Sequence, residues 1–271
     1  MKYKTLGSTG IDVSIIGLGT VKFGRDQAVK YPDAFKIPDD AAALSLINCA
    51  KNLGINLIDT APAYGNSEER LGCLLKDNRK DWIICSKVGE EFVNGKSSYD
   101  FSRQHTLASI DRSLKRLRTD YIDIVLVHSD GNDLDILNHF GTLAVLAELK
   151  QQGKIRAFGF SGKTIEGGIQ AASQSDVVMV TYNLNEQDEK PVLDFCRDHR
   201  KGVLIKKALA SGHLDQSTAG NSGWPSPNFV PGWSGAASKS GRLRPSALTP
   251  SWRRPPAAFS GSKGSSAARA R

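Results

Sequence analysis

Seven short apolar runs, separated by amphipathic stretches, constrain the fold of this chain more than any other feature. The runs are SIIGLGT (14–20), INLIDTA (55–61), WIICSKV (82–88), IDIVLVHS (122–129), IRAFGFSG (155–162), VVMVTYN (177–183) and GVLIKKA (202–208). They scarcely alternate polar with apolar residues, which is the pattern of parallel strands covered on both faces. Between them the helical periodicity predicts helices over roughly 39–53, 67–77, 103–118, 133–152, 164–174 and 186–200. Asn66 followed by Glu69 resembles a capping box at the start of the second helix. Strands and helices in alternation imply parallel α/β, and 271 residues suit a (β/α)₈ barrel or a doubly wound sheet. Ahead of the first run, YKTLGSTGIDVSIIG reads as a hairpin around Ser8-Thr9-Gly10 that would plug the bottom of a barrel.

After KKALASGHL the beat stops, which divides the chain into a barrel-like body over 1–214 and a tail over 215–271. An eighth strand and helix belong here, and neither is readable. Residues 221–271 hold eleven Ser, eight Ala, seven Pro, six Gly and three of the four Trp, a composition that favours disorder. It is also what GC-rich DNA encodes out of frame, so a frameshifted or replaced C-terminus is expected. Of the 36 Lys and Arg, eight fall in 221–271, which has no acid; the other 28 balance the 28 acids of the body. The net charge of +8 therefore belongs to the tail and gives the body no nucleic-acid-binding character.

The four cysteines form no C-x-x-C pair, and Cys49 and Cys85 lie in apolar stretches, so buried free thiols in a reducing cytoplasm are expected. The N-terminus has no apolar signal segment, and no run approaches the length of a membrane span.

Three ionisable residues end three consecutive runs: Asp59, Lys87 and His128. In a parallel barrel such ends surround one mouth, where barrel active sites lie. Tyr64 joins them from the loop after Asp59, because Pro62 stops the strand and Gly65 lets the chain turn. Such a set suits proton donation. A Tyr with a pKa of about 10 is a poor acid, and a neighbouring ammonium held by a carboxylate would lower that pKa. His128 can hydrogen-bond a carbonyl oxygen.

Through GLGT (17–20), INLIDTAPAYGNSEERLG (55–72), SKV (86–88), LVHS (126–129) and GFSG (159–162), residues 1–214 resemble the aldo-keto reductase family. The resemblance implies a metal-free, NADP(H)-dependent (β/α)₈ barrel that reduces small aldehydes or ketones to alcohols. By position Tyr64 would be the general acid, Lys87 its pKa partner, Asp59 the orienter of Lys87, and His128 the group that orients substrate. Cofactor contacts would come from Gly19, Thr20, Asp59, Ser161 and Gly162, with Lys206, Lys207 and Leu209 at the end of the seventh strand. Three positions depart from the family pattern. Gly162 stands where Asn is common, Met179 where Gln is usual, and Lys206 where an aromatic residue often stacks on nicotinamide.

The absent eighth unit implies weakened cofactor binding and impaired activity. GFSGKT (159–164) ends like a phosphate-binding loop but has Ala157 where that pattern needs Gly. The acids of DGNDLD (130–135) lack a calcium-loop pattern and read as helix capping, and the remaining histidines, including His105, read as solvated. The alternative function is a non-catalytic nucleotide-binding or regulatory barrel.

Overall fold

The computed structural model describes residues 1–213, and the tail expected over 215–271, with the missing or displaced eighth unit, lies outside them. Strands β1 (Tyr3–Thr5) and β2 (Asp12–Ser14) pair antiparallel around the Ser8-Thr9-Gly10 turn. Seven parallel strands follow: β3 (Gly17–Gly19), β4 (Leu57–Asp59), β5 (Ile83–Val88), β8 (Ile122–His128), β9 (Ile155–Ser161), β10 (Val177–Thr181) and β11 (Gly202–Lys206). They lie side by side in chain order, β3 to β11, in one curled sheet of the (β/α)₈-barrel type. The two remaining strands, β6 (Glu90–Val93) and β7 (Lys96–Tyr99), form a separate hairpin beyond β5.

Seven helices fill the crossovers: α1 (Asp40–Asn52), α2 (Ser67–Leu74), α3 (Arg103–Leu117), α4 (Asp133–His139), α5 (Thr142–Gln151), α6 (Ile165–Gln174) and α7 (Lys190–Asp198). The single helix expected over 133–152 is two. Gly141, at φ 65°, breaks it after Phe140, a conformation that glycine adopts without steric penalty. Asn66 precedes α2 but makes no side-chain cap, because Ser67 takes over the junction by hydrogen-bonding Thr20. Two thiol and histidine expectations also fail: Cys49 is exposed on α1, and His105 is half-buried beside Glu91.

Burial on both strand faces explains the missing alternation. One face of the sheet supplies Leu57, Cys85, Ile124, Leu126, Ala157, Val177, Met179 and Leu204 to an inner core, which Leu6, Ile11 and Val13 of the first hairpin complete. The plug expected from sequence is therefore present. A Cβ on Gly7 would lie 2.3 Å from the Gly202 nitrogen, so hairpin and β11 touch at backbone distance. The other face packs Ile58, Ile84, Val125, Val127, Phe158, Phe160, Val178 and Val180 against the helices.

Register at the opposite end from the site is pinned by two acids. Asp123, fully buried on β8, accepts from the Ile84 amide (3.0 Å), Arg79 (2.9 Å) and Arg156 (2.6 Å), and Asp176 accepts from the Phe158 amide (3.1 Å). Removing one partner of a buried pair strands the other charge. Asp123→Ala is expected to lower unfolding stability by about 3–5 kcal/mol in urea titrations.

Candidate active site

The mouth is assembled by backbone contacts between loops. Thr20 donates from both its amide and its hydroxyl to the carbonyl of Asp59, at 2.9 Å each, clipping the loop after β3 to the tip of β4. Ser67 then bonds Thr20 and Thr60, closing the 60–66 loop beneath. A Cβ on Gly65 would sit 2.0 Å from the Gly24 carbonyl oxygen, and one on Gly24 would sit 2.2 Å from that of Tyr64. Only two glycines allow this approach, and it returns Tyr64 to the strand tips.

Lys87, 2% exposed, donates to Asp59 Oδ1 at 2.6 Å and to the Thr60 carbonyl at 2.9 Å. Its ammonium lies 4.8 Å from the centre of the Tyr64 ring, and the ring of His128 stands edge-on to Tyr64 with centres 6.4 Å apart. The four residues expected to converge thus do so. Their electrostatics differ from expectation in one respect. Lys87 does pull the phenol toward ionisation, but burial opposes it more strongly, and the Tyr64 pKa is pushed up to about 12. Burial favours neutral Lys87, yet Asp59 and Tyr64 together hold it as an ammonium well above its ordinary range.

Two residues at this mouth were not read from the sequence. Glu90, the first residue of β6, places Oε2 2.9 Å from Nδ1 of His128 and accepts from Ser97 at 2.6 Å. Arg25 lies 3.4 Å from Glu90, donates to the Ala63 carbonyl and stacks 3.6 Å over the Phe92 ring. Burial opposes ionisation of Glu90, but His128, Ser97 and Arg25 outweigh it and hold the carboxyl at about 2. The signal for this element was Asn94-Gly95, whose positive φ values make the tight turn between β6 and β7.

The expected cofactor contacts are scattered. Gly19 faces open space, whereas Thr20 is fully buried and occupied with Asp59. At the far side of the mouth Lys206 donates to Ser161 Oγ (3.1 Å) and to the Gly162 carbonyl (2.5 Å). Lys207 has a positive φ, its carbonyl accepting from Asn183, and Leu209 is exposed. Met179 is buried in the inner core, packed as an apolar side chain.

A curled parallel barrel carrying this cluster at its C-terminal mouth defines a class of barrel oxidoreductase. The chain belongs to the aldo/keto reductase family, whose profile matches residues 15–232. It is similar to an aldo-keto reductase of Bacillus subtilis, YhdN, at 34% identity over 79% of this chain and 64% of the relative. It is likewise similar to the NADH-specific methylglyoxal reductase of Escherichia coli, at 32% identity over 79% of this chain and 69% of the relative. Among solved structures, a Pseudomonas aeruginosa protein assigned to the aldo-keto reductases is 58% identical. It superimposes with a TM-score of 0.73 over 78% of this chain and 79% of its own. The chain spans about two thirds of the length of these curated relatives. The family is one of oxidoreductases that use a nicotinamide cofactor. Among the described residues no helix is long and apolar enough to cross a membrane.

Desolvation, with help from Lys207 and Lys87, lowers the Lys206 pKa to about 8, although Glu189 opposes it. Competitive acetylation followed by mass spectrometry is expected to show Lys206 half-reactive near pH 8.

Proposed function

We propose that this chain is an NADP(H)-dependent reductase of small aldehydes or ketones in which Tyr64 supplies the proton. The observation that carries the reading is the buried Lys87–Asp59 pair (2.6 Å) lying 4.8 Å from the Tyr64 ring. That is a fixed positive charge beside a phenol at the end of parallel strands.

When bound, the nicotinamide supplies hydride to the carbonyl carbon. As negative charge builds on the carbonyl oxygen, the Tyr64 O–H proton passes to it, leaving a phenolate and a neutral alcohol. Lys87 stabilises that phenolate, and Asp59 keeps the ammonium from swinging away. With a pKa of about 12 the phenol keeps its proton throughout the neutral range, so reduction starts with the donor loaded. His128 completes the oxygen's surroundings from the opposite edge of the ring.

For the cofactor, the open face over Gly19 lets a flat, bulky group approach the backbone closely, and across the mouth Ser161 carries a hydroxyl that accepts from Lys206. Lys206 takes up the position from which a ring would stack, so we read its ammonium as ordering Ser161 and Gly162 instead of stacking. Lys206 and Lys207 favour an anionic ligand by charge. The open face of Gly19 and these donors fit a dinucleotide, and the named contacts Gly19, Asp59, Ser161, Gly162, Lys206, Lys207 and Leu209 are proposed on that basis. The Escherichia coli relative is named for NADH, so the choice between the two cofactors is measured directly.

Tyr64→Phe is expected to reduce kcat for aldehyde reduction by about 10²–10⁴-fold, the range for a positioned general acid. Cofactor binding, followed by quenching of protein fluorescence, should stay within about twofold of the parent. Equal rates for the two proteins would remove Tyr64 as the acid. Initial rates with NADPH and NADH at matched concentrations are expected to favour NADPH, and the reverse preference would overturn the cofactor assignment.

A further inference from the structure

Glu90 has no part in the proton transfer just described, yet it is a buried, ionised carboxylate against the imidazole that faces the substrate. Its Oε2 lies 2.9 Å from His128 Nδ1, an atom shut off from solvent, with the oxygen off the N–H axis. Two unprotonated acceptors at that distance repel, so with Glu90 ionised the proton must sit on Nδ1. Nε2, on the far side of the ring, has no hydrogen-bond partner among the described residues. Glu90 is itself fixed from three sides, by Ser97 on β7, by Arg25 from the loop after β3, and by its own place at the start of β6.

We propose that Glu90 is a positioning residue for carbonyl reduction. It holds His128 as the Nδ1–H tautomer, so that Nε2 meets the substrate oxygen as an acceptor while the ring is neutral and as a donor only once the ring is protonated. The inference rests on the reductase reading of the site and adds a pH-dependent partner to Tyr64. The charged and titratable groups around the dyad are Arg25 and Tyr99 at Glu90, and Tyr64, Lys87 and Lys206 at His128. Burial, Lys87 and Lys206 all disfavour the imidazolium, and Glu90 is the carboxylate that favours it. The net effect is a lowered His128 pKa, so the ring is neutral at pH 7 and gains its donor proton on the acid side. A carbonyl oxygen only accepts hydrogen bonds. Reduction therefore quickens as pH falls through the His128 pKa, for as long as Glu90 stays ionised.

The test combines kinetics with a measurement that needs neither cofactor nor turnover. Imidazole ¹⁵N–¹H spectra of the full chain, with the His128 signals assigned through His128→Asn, should show Nδ1 protonated in the neutral ring. In Glu90→Gln the amide carries no charge to balance the imidazolium. The His128 midpoint should then fall by one pH unit or more, and kcat at pH 6 should fall by about tenfold. Glu90→Asp, which keeps the charge, should restore at least half of that midpoint change and the acid-side rise, and serves if the Gln variant does not fold. A His128 midpoint and tautomer unchanged in Glu90→Gln would overturn the proposal, as would a parent ring protonated on Nε2. Should the parent reduce no carbonyl, the reductase reading fails and the proposed contribution to reduction falls with it. Active parent with an unaltered pH profile in Glu90→Gln sinks the Glu90 role alone.

Discussion

The buried ion pair between Asp59 and Lys87 is the interaction on which the arrangement of the mouth depends. Lys87 is 2% exposed and Asp59 is only partly shielded, so one ammonium has been taken out of water and left with a single carboxylate and one carbonyl to satisfy it. Pairs of this kind seldom add net stability, since desolvation offsets much of the Coulomb gain and well-packed apolar residues would often do as well. A fixed cation is what apolar residues cannot supply, and Tyr64 stands over it. The Thr20 clip and the Gly24–Gly65 contact have the same logic. They hold the Asp59 carbonyl and the Tyr64 backbone in place, which keeps the phenol beside that charge.

Much of this was legible in the sequence because burial on both faces leaves a plain signature. Val177–Thr181 or Ile122–His128, apolar nearly throughout, can hardly be anything but covered parallel strands. Three strand ends in succession bearing Asp59, Lys87 and His128 then gave the mouth. What was not legible depended on distances that the linear order does not carry. Gly141 splits a helix because its φ is positive, and Asn66 leaves its cap because Ser67 finds a better partner in Thr20, 47 residues away. Glu90 was hidden for a different reason. The segment around it is a hairpin lying over the barrel end, and its closeness to His128 is a tertiary fact without a motif. The Tyr64 pKa is the sharpest case: Lys87 favours the phenolate, but whether charge or burial prevails is settled only by how deeply the ring is enclosed.

Lys206 shows how a departure from the family pattern can be physically coherent. An ammonium at that position cannot stack as an aromatic ring does. It instead bridges the Ser161 hydroxyl and the Gly162 carbonyl, joining the ends of β9 and β11 across β10. Gly162 loses nothing by lacking an amide side chain in this role, because the acceptor is its backbone. Met179 fits the same scheme, filling the inner core beneath these strand ends, where an amide would need a partner.

The mouth therefore gathers two ammonium groups, Lys87 and Lys206, close to one imidazole, with a guanidinium, Arg25, behind. A site so rich in cations resists taking up another proton on His128, and the lowered pKa of that ring follows from burial together with those charges. The same field acts on Tyr64 in the opposite sense, since Lys87 favours the phenolate while burial keeps the phenol neutral. At neutral pH the proton balance is then defined: Lys87 charged, Glu90 ionised, His128 neutral, Tyr64 carrying the hydroxyl proton nearest the strand tips. Tyr64 keeps its proton among neighbours whose own polar atoms are already engaged. Lys87 is committed to Asp59 and the Thr60 carbonyl, and Lys206 to Ser161 and Gly162, while Nδ1 of His128 lies 2.9 Å from the Glu90 carboxylate.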